Sequence, residues 1–398
     1  MRTIRPTLDY TPLAKFLHWI IAGMVVVQFT LGNLAEGAEE AGAKLRQLIL
    51  LANHKSVGIT ILALVMVRLL WRLANKPPNL PASLPNWQVG ASRISHWSLY
   101  VLLFAMPITG WLMSSASAYS VSWFNLFQLP DLVSPDRELK ETLESIHKTL
   151  ALILFIVAGI HILAAVKHAV IDRVPILRRI ASVPSVAVFI LIIIVGVIAL
   201  GGAAKSSAMD LSDLESGQSS NADDGNVTDG GLPYWNIDYD SSFIKFTGVQ
   251  AGATFDGVWQ SWRAELRFSA ADLAASAFDV TVNTAAVETR DDDRNATLAD
   301  PEWFDSGKYT EARFTANSFS ENSDGSFSAT GELVIKDRST PVTLRFTVTE
   351  NDEQRVLVGG AILDRLALGV GTGEWIDTTW IGKDVSVDVR VVANIARE

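Results

Sequence analysis

The sequence predicts a membrane all-α bundle of four histidine-bearing helices with one extra transmembrane helix, followed by an all-β antiparallel barrel. Three observations predict it. All six histidines fall within the first 168 of the 398 residues, and the apolar stretches that carry them are long enough to span a bilayer. From Leu232 onward the hydrophobic period changes to two, the period of half-buried strands. Charge divides at the same place: residues 1–203 hold 17 Lys and Arg against 10 Asp and Glu, whereas residues 232–398 hold 15 against 27.

The first span, AKFLHWIIAGMVVVQFTLG, carries His18; the second, LANHKSVGITILALVMVRLLW, carries His54; the third, ISHWSLYVLLFAMPITGWLM, carries His96. The fourth, from Ile146 to His168, carries His147, His161 and His168. His147 and His161 are 14 residues apart, so on a helix they lie about 21 Å apart along the axis and within about 40° of one face. One imidazole thus lies near each membrane surface. Ionisable residues at that depth are costly and point to function with a partner inside the bundle. Histidines near one end of three spans and near both ends of the fourth give pairs at two depths, an arrangement that suits two bis-histidine haems. Such ligation leaves no open iron position, which favours electron transfer over oxygen binding.

Arg2 and Arg5 precede the first span, but its apolar run is too long for a signal peptide, so it is expected to be a retained helix. Orientation follows from the basic residues, which concentrate in cytoplasmic loops. Arg2, Arg5 and Lys15 precede span one, Arg72, Lys76 and Arg93 lie between spans two and three, and Lys167, Arg173, Arg178 and Arg179 follow span four. The opposite loops carry Glu36, Glu39, Glu40, Asp131, Asp136, Glu138, Glu141 and Glu144. The expectation is a multi-pass membrane protein with a cytoplasmic N-terminus. A fifth span, Pro184 to Gly202, has neither charge nor histidine and reads as a plain tether that runs outward.

Residues 204–231 are rich in Ser, Asp and Gly, cannot bury a core, and read as a flexible linker. The expected organisation is a four-helix domain over 1–180, the fifth helix over 181–203, the linker over 204–231 and a periplasmic barrel over 232–398. About eight strands are expected from runs such as SSFIKFTGVQ, EARFTANSF, TPVTLRFTVTE and VSVDVRVVAN, with one short helical piece around Asp291–Phe304. The segment ILDRLALGVGTGEWID departs from a clean strand. An acidic surface disfavours nucleic acid. With no cysteine, the chain has no disulfide, c-type haem attachment, iron–sulfur cluster or thiolate zinc site.

Taken in order, YTPLAKFLHW, NHKSVG, VRLLWRL, PITGW, IHKTLA and GIHILAAVKH make residues 8–180 resemble the bacterial cytochrome b561 family. That resemblance implies a four-helix bundle of the bacterial inner membrane, holding two b-type haems between histidines. Alternating span directions pair His18 with His161 toward the cytoplasm and His54 with His147 toward the outside, as iron ligands. Arg68, 14 residues after His54, lies at the depth of the opposite pair and needs an anion, for which a haem propionate or the lipid headgroups are available. His168 stands between a propionate contact and solvation, and His96 between a quinone or propionate hydrogen bond and a capping role. Gly58 and Gly159 leave room for porphyrin edges.

The outer half resembles the YceI-like family of lipocalin-like, polyisoprenoid-binding proteins through YWNIDYDSSFIKF, FDVTVNTAAVET, DDDRNATLADPEWFDSGKYTEARF and GELVIKDRSTPVTL. This implies a barrel whose interior takes an isoprenoid tail, including that of a quinone such as ubiquinone. Phe255, Val258, Trp259, Trp262, Phe268, Trp303, Phe304 and Phe314 are the candidates to line it. The leading function is a membrane-bound dihaem cytochrome passing electrons between the quinone pool and a periplasmic redox partner, with the barrel binding an isoprenoid lipid or quinone. One alternative is a superoxide oxidase that reduces ubiquinone, in which Lys55 and Lys148, beside the outer histidines, attract an anion or serve as interfacial anchors. Another is an isoprenoid lipid carrier anchored by its haem bundle. No catalytic group is assigned.

Overall fold

The computed structural model describes residues 9–78, 84–174, 176–200, 232–351 and 354–394, in a helical N-terminal unit and a β-rich C-terminal unit. The expected linker lies outside the described residues.

Four helices carry the length and hydropathy of membrane spans: α1 (Pro12–Glu40), α2 (Lys44–Ala74), α3 (Asn86–Ala116) and α4 (Arg137–Val170). Helix α1 starts where Pro12 fixes the first φ and the Thr11 hydroxyl accepts from the Ala14 N–H at 3.3 Å. Asp136 starts α4 by accepting from the Leu139 N–H at 3.0 Å. Glu138 in its first turn and Lys167 in its last complement the helix dipole. The apolar core runs along α1 and α2, where Ile21, Val27 and Leu31 meet Leu50, Val57, Ile61 and Val65. Helix α1 packs on α2, α2 on α3 and α3 on α4. Leu152, Ile162 and Leu163 of α4 are 60% or more exposed, the outward apolar face that a bilayer covers.

Between α3 and α4 a small hairpin, β1 (Ser122–Trp123) and β2 (Phe127–Gln128), folds back onto α2. Ser56 Oγ donates to the Ser122 carbonyl at 3.1 Å and accepts from the Phe124 N–H at 2.9 Å, while Trp123 Nε1 donates to Thr60 Oγ1 at 3.0 Å.

After the short α5 (Ile176–Ile180), the stretch expected as a fifth span forms the apolar helix α6 (Val183–Val195), capped by Ser182 and Ser185 and continued by a π-helical turn over Gly196–Leu200. It is more than the expected plain tether. It lies along α1, where a Cβ at Gly196 would come within 2.6 Å of Val27 and one at Gly23 within 3.2 Å of Ile192. Trp19 of α1 meets Phe189 edge to face at 5.2 Å and donates from Nε1 to the Ile180 carbonyl.

The C-terminal unit is one curled antiparallel sheet. Its strands are β3 (Asn236–Gln250), β4 (Ala253–Trp259), β5 (Trp262–Arg267), β6 (Ala277–Asn283), β7 (Val287–Glu288), β8 (Glu311–Glu321), β9 (Phe327–Ile335), β10 (Arg338–Glu350), β11 (Gln354–Asp364) and β12 (Asp384–Asn394), with α7 (Asp292–Leu298) after β7. Spatial order is β5-β6-β8-β9-β10-β11-β12-β3-β4-β7. The sheet curls until its start meets β5, where the Trp235 N–H donates to the Leu266 carbonyl at 2.8 Å and the Ala264 N–H to Tyr239 Oη at 3.2 Å. This is the expected barrel, and α7 is the helical piece expected near Asp291. One end is filled by Phe268, Phe278, Phe319, Phe327 and Phe346, with ring centres as close as 4.8 Å.

The irregular segment after β11 wraps around Arg365. This guanidinium, 3% exposed, donates to the carbonyls of Val370, Gly371, Trp375, Ile381 and Gly382 at 2.7–3.2 Å and lies over the Trp303 ring. Burial pulls it below the usual arginine range.

Candidate functional site

The helical unit gathers its histidines at two levels. His18 of α1 and His161 of α4 have ring centres 6.5 Å apart, and His54 of α2 and His147 of α4 have theirs 6.4 Å apart. One helix, α4, therefore supplies a ring to each pair, as the spacing of 14 residues requires. A third ring joins the first level: His96 of α3 lies 5.2 Å from His161.

These distances test whether a haem iron suits each pair. A metal–imidazole bond of about 2 Å on each side, plus the span from nitrogen to ring centre, puts two axial rings roughly 6 Å apart. The 6.5 Å and 6.4 Å pairs meet that spacing; His96 and His161, at 5.2 Å, stand too close. The donor chemistry also suits iron, since the His54 ring is buried and its hydrogen bond to the Gln28 backbone leaves a second ring nitrogen for a metal. Glycine backbone lies against both rings of the second pair, and closely so at Gly110. A Cβ at Gly32 would lie 3.6 Å from the His54 ring, and one at Gly110 would lie 3.1 Å from that of His147. Thr109, beside Gly110, has its Oγ1 3.1 Å from His147 Nδ1.

Arg68 stands at the His18 level, as its position in the second span requires. Its Nη1 donates to the Ala14 carbonyl at 2.9 Å, it hydrogen-bonds Tyr100, and it lies within electrostatic range of His18, His96 and His161. Arg68, Arg72, Lys76, Tyr10, Trp71 and Tyr100 line a pocket of about 50 Å³ there. His168 has a carboxylate of its own: Nδ1 lies 2.7 Å from Asp172 Oδ2, which Lys167 also holds at 2.6 Å. The two hydrogen bonds keep the Asp172 carboxyl below the usual range.

The lysines beside His54 and His147 are both engaged. Lys148 pairs with Glu144 at 2.7 Å, and Lys55 lies over the Tyr119 ring. Of the glycines expected to clear porphyrin edges, Gly58 faces Gln28 Nε2 at 3.4 Å and Gly159 faces nothing within 4 Å. The glycines against the His54 and His147 rings are Gly32 and Gly110, which spacing alone does not single out.

In the barrel a cavity of about 140 Å³ is lined almost wholly by apolar side chains, with Thr284 as its one hydroxyl. A cavity of that character stays dry and accepts apolar matter. Among the eight candidates, Trp259, Trp262, Phe304 and Phe314 line it. The other four do not. Val258 falls on the opposite face of β4 from Trp259, because alternate residues point to opposite faces. Phe268 belongs to the phenylalanine end, Trp303 packs on Trp375 at 5.5 Å, and Phe255 lies under Arg294 at 4.3 Å.

The family model for prokaryotic cytochrome b561 matches residues 9–182, and that for the YceI-like domain matches residues 235–393. Over 177 residues the chain is 30% identical to cytochrome b561 homolog 2 of Escherichia coli, covering 43% of this chain and 89% of that protein. It is 31% identical over 160 residues to the probable superoxide oxidase CybB of Yersinia pestis, covering 40% of this chain and 88% of that protein. Among solved structures, Burkholderia cenocepacia BcnA is 27% identical with a TM-score of 0.39, covering 40% of this chain and 99% of that one.

Proposed function

We propose that this chain, which belongs to the prokaryotic cytochrome b561 family over residues 9–182 and carries a YceI-like domain over residues 235–393, is a membrane-bound dihaem electron carrier. It exchanges electrons between the quinone pool and a periplasmic partner, and its barrel holds an isoprenoid lipid or quinone. The observation that carries this reading is the pair of histidine couples, 6.5 Å and 6.4 Å between ring centres, at two levels of one bundle. Membership of the family implies haem b, which supplies one-electron redox chemistry when bound. His18 and His161 hold it at one level, and His54 and His147 at the other. Arg68 places a positive charge beside the first level, suited to a propionate. The Gly32 and Gly110 backbones admit the outer rings, and the cavity beneath Trp259 and Phe304 excludes water from an apolar ligand.

A second reading, superoxide oxidation with reduction of ubiquinone, draws support from the likeness to the probable superoxide oxidase of Yersinia pestis. Haem and protein quantitation tests the leading reading, with two low-spin b haems per chain expected and a stoichiometry of one overturning it. Anaerobic optical titration of the same protein with quinol and then with superoxide separates the two: reduction by quinol alone favours the carrier, and rapid reduction by superoxide favours the oxidase.

A further inference from the structure

The dipeptide Thr109-Gly110 in α3 meets His147 in a way that the ligand set alone does not explain. Pro107, inside the helix, has no N–H to give to the carbonyl one turn earlier, so the ladder is interrupted just before Thr109. The Thr109 hydroxyl turns back onto its own helix, with Oγ1 2.9 Å from the carbonyls of both Ala105 and Met106. A hydroxyl has one proton and two lone pairs. With that proton on either carbonyl the hydroxyl is left as an acceptor for His147 Nδ1, 3.1 Å away, and the Met106 backbone also hydrogen-bonds the His147 ring. Both contacts suit an imidazole that carries its proton on Nδ1, the tautomer that leaves the lone pair on Nε2. Gly110 completes the cradle, because a Cβ there would lie 3.1 Å from His147 Cε1 and push the ring away.

We propose that Thr109 is a positioning residue for the outer haem, fixing the Nδ1–H tautomer and the ring orientation of His147 so that Nε2 faces the iron. The inference rests on the reading that His54 and His147 hold a haem. A partner that accepts from the far nitrogen of a ligating imidazole raises the basicity of the ligand, and its loss costs about 10–100-fold in metal affinity. A more basic ligand favours ferric iron, so Thr109 also lowers the potential of the outer haem.

Thr109→Val keeps the branched shape and removes the acceptor, whereas Thr109→Ser keeps the acceptor. Both are purified as full-length chains, and haem occupancy, the two midpoint potentials and the ferric electron paramagnetic resonance signals are measured. Expected for the valine variant is a raised potential or about tenfold weaker retention of one haem, with a changed ferric signal for that haem alone. The serine variant is expected to restore the native values. Wild-type potentials and signals in Thr109→Val would overturn the proposal, as would equal shifts of both haems that Thr109→Ser fails to restore. If the valine variant loses the outer haem altogether, retention of that haem by the serine variant supports the proposal, and its loss from both variants overturns it. A wild-type chain with a single haem would instead sink the dihaem reading, a separate result.

Discussion

Arg68 and Arg365 are both half or more buried guanidiniums, yet their surroundings ask different things of them. Arg365 spends its donors on five backbone carbonyls of one loop, which makes it the internal scaffold of that loop. Replacing it by methionine strands those acceptors in a buried place, and a cost of about 3 kcal/mol or more is expected. Thermal unfolding of the β-rich unit, followed by its tryptophan fluorescence, checks this. Arg68 keeps one donor on the Ala14 carbonyl and directs its charge toward three histidines. Arg68→Met should lower the potential of the His18/His161 haem, because a nearby cation stabilises the less positive ferrous state, and leave the other haem unchanged. Redox titration of the two haem bands decides it, and unchanged potentials would leave Arg68 a headgroup anchor. The histidines and Arg68 were legible because ionisable residues are rare at membrane depth and their spacing converts directly into depth. Thr109, Gly110, Gly32 and Arg365 were not. Each acts through a contact with a distant part of the chain, and a threonine, a glycine or a loop arginine carries no local mark of that.

At the scale of elements, apolar length located every long helix among the described residues, while the face on which the fifth stretch packs stayed hidden. The fifth span shows why. Its sequence is uniformly apolar, which predicts a span but gives no face, since every side of such a helix suits lipid equally well. Small residues settle the matter in the folded chain: Gly196 and Gly23 bring α6 and α1 together with Val27 and Ile192 at the contact. Close approach at glycine is the usual way for helices to associate where no hydrophobic driving force separates them from lipid. Gly196→Leu should therefore push α6 off α1, at a cost of about 1–3 kcal/mol from overpacking. The melting temperature of the detergent-solubilised chain should fall, and an unchanged value would return α6 to the role of a tether. In the barrel, alternation found the strands but overcounted the lining. Val258 and Trp259 are adjacent, and the period of two forbids both from facing the cavity.

The whole molecule joins two cores that share no residue, one along α1 and α2 and the other inside the barrel. Separate cores imply separate folding. A chain ending at Ser207 should thus keep the helical unit intact, including both histidine pairs, and show the haem spectrum of the full-length protein. Function is where the two halves should prove coupled. If residues 204–231 form the flexible linker that their composition predicts, a root-mean-square reach of about 25–30 Å and an effective concentration of the barrel in the millimolar range are expected. A carrier held so near raises the local supply of its ligand without any strong docking interface. If the barrel delivers quinone to the bundle, removal of residues 208–398 should slow haem reduction when quinol is scarce. It should leave the rate unchanged when quinol saturates, because the chemistry belongs to the bundle. Stopped-flow reduction of the full-length and shortened chains in lipid nanodiscs, across a range of quinol concentrations, measures both limits. Equal rates throughout would make lipid carriage and electron transfer separate functions of one chain. A loss that persists at saturation would show instead that the barrel contributes to the electron-transfer step itself.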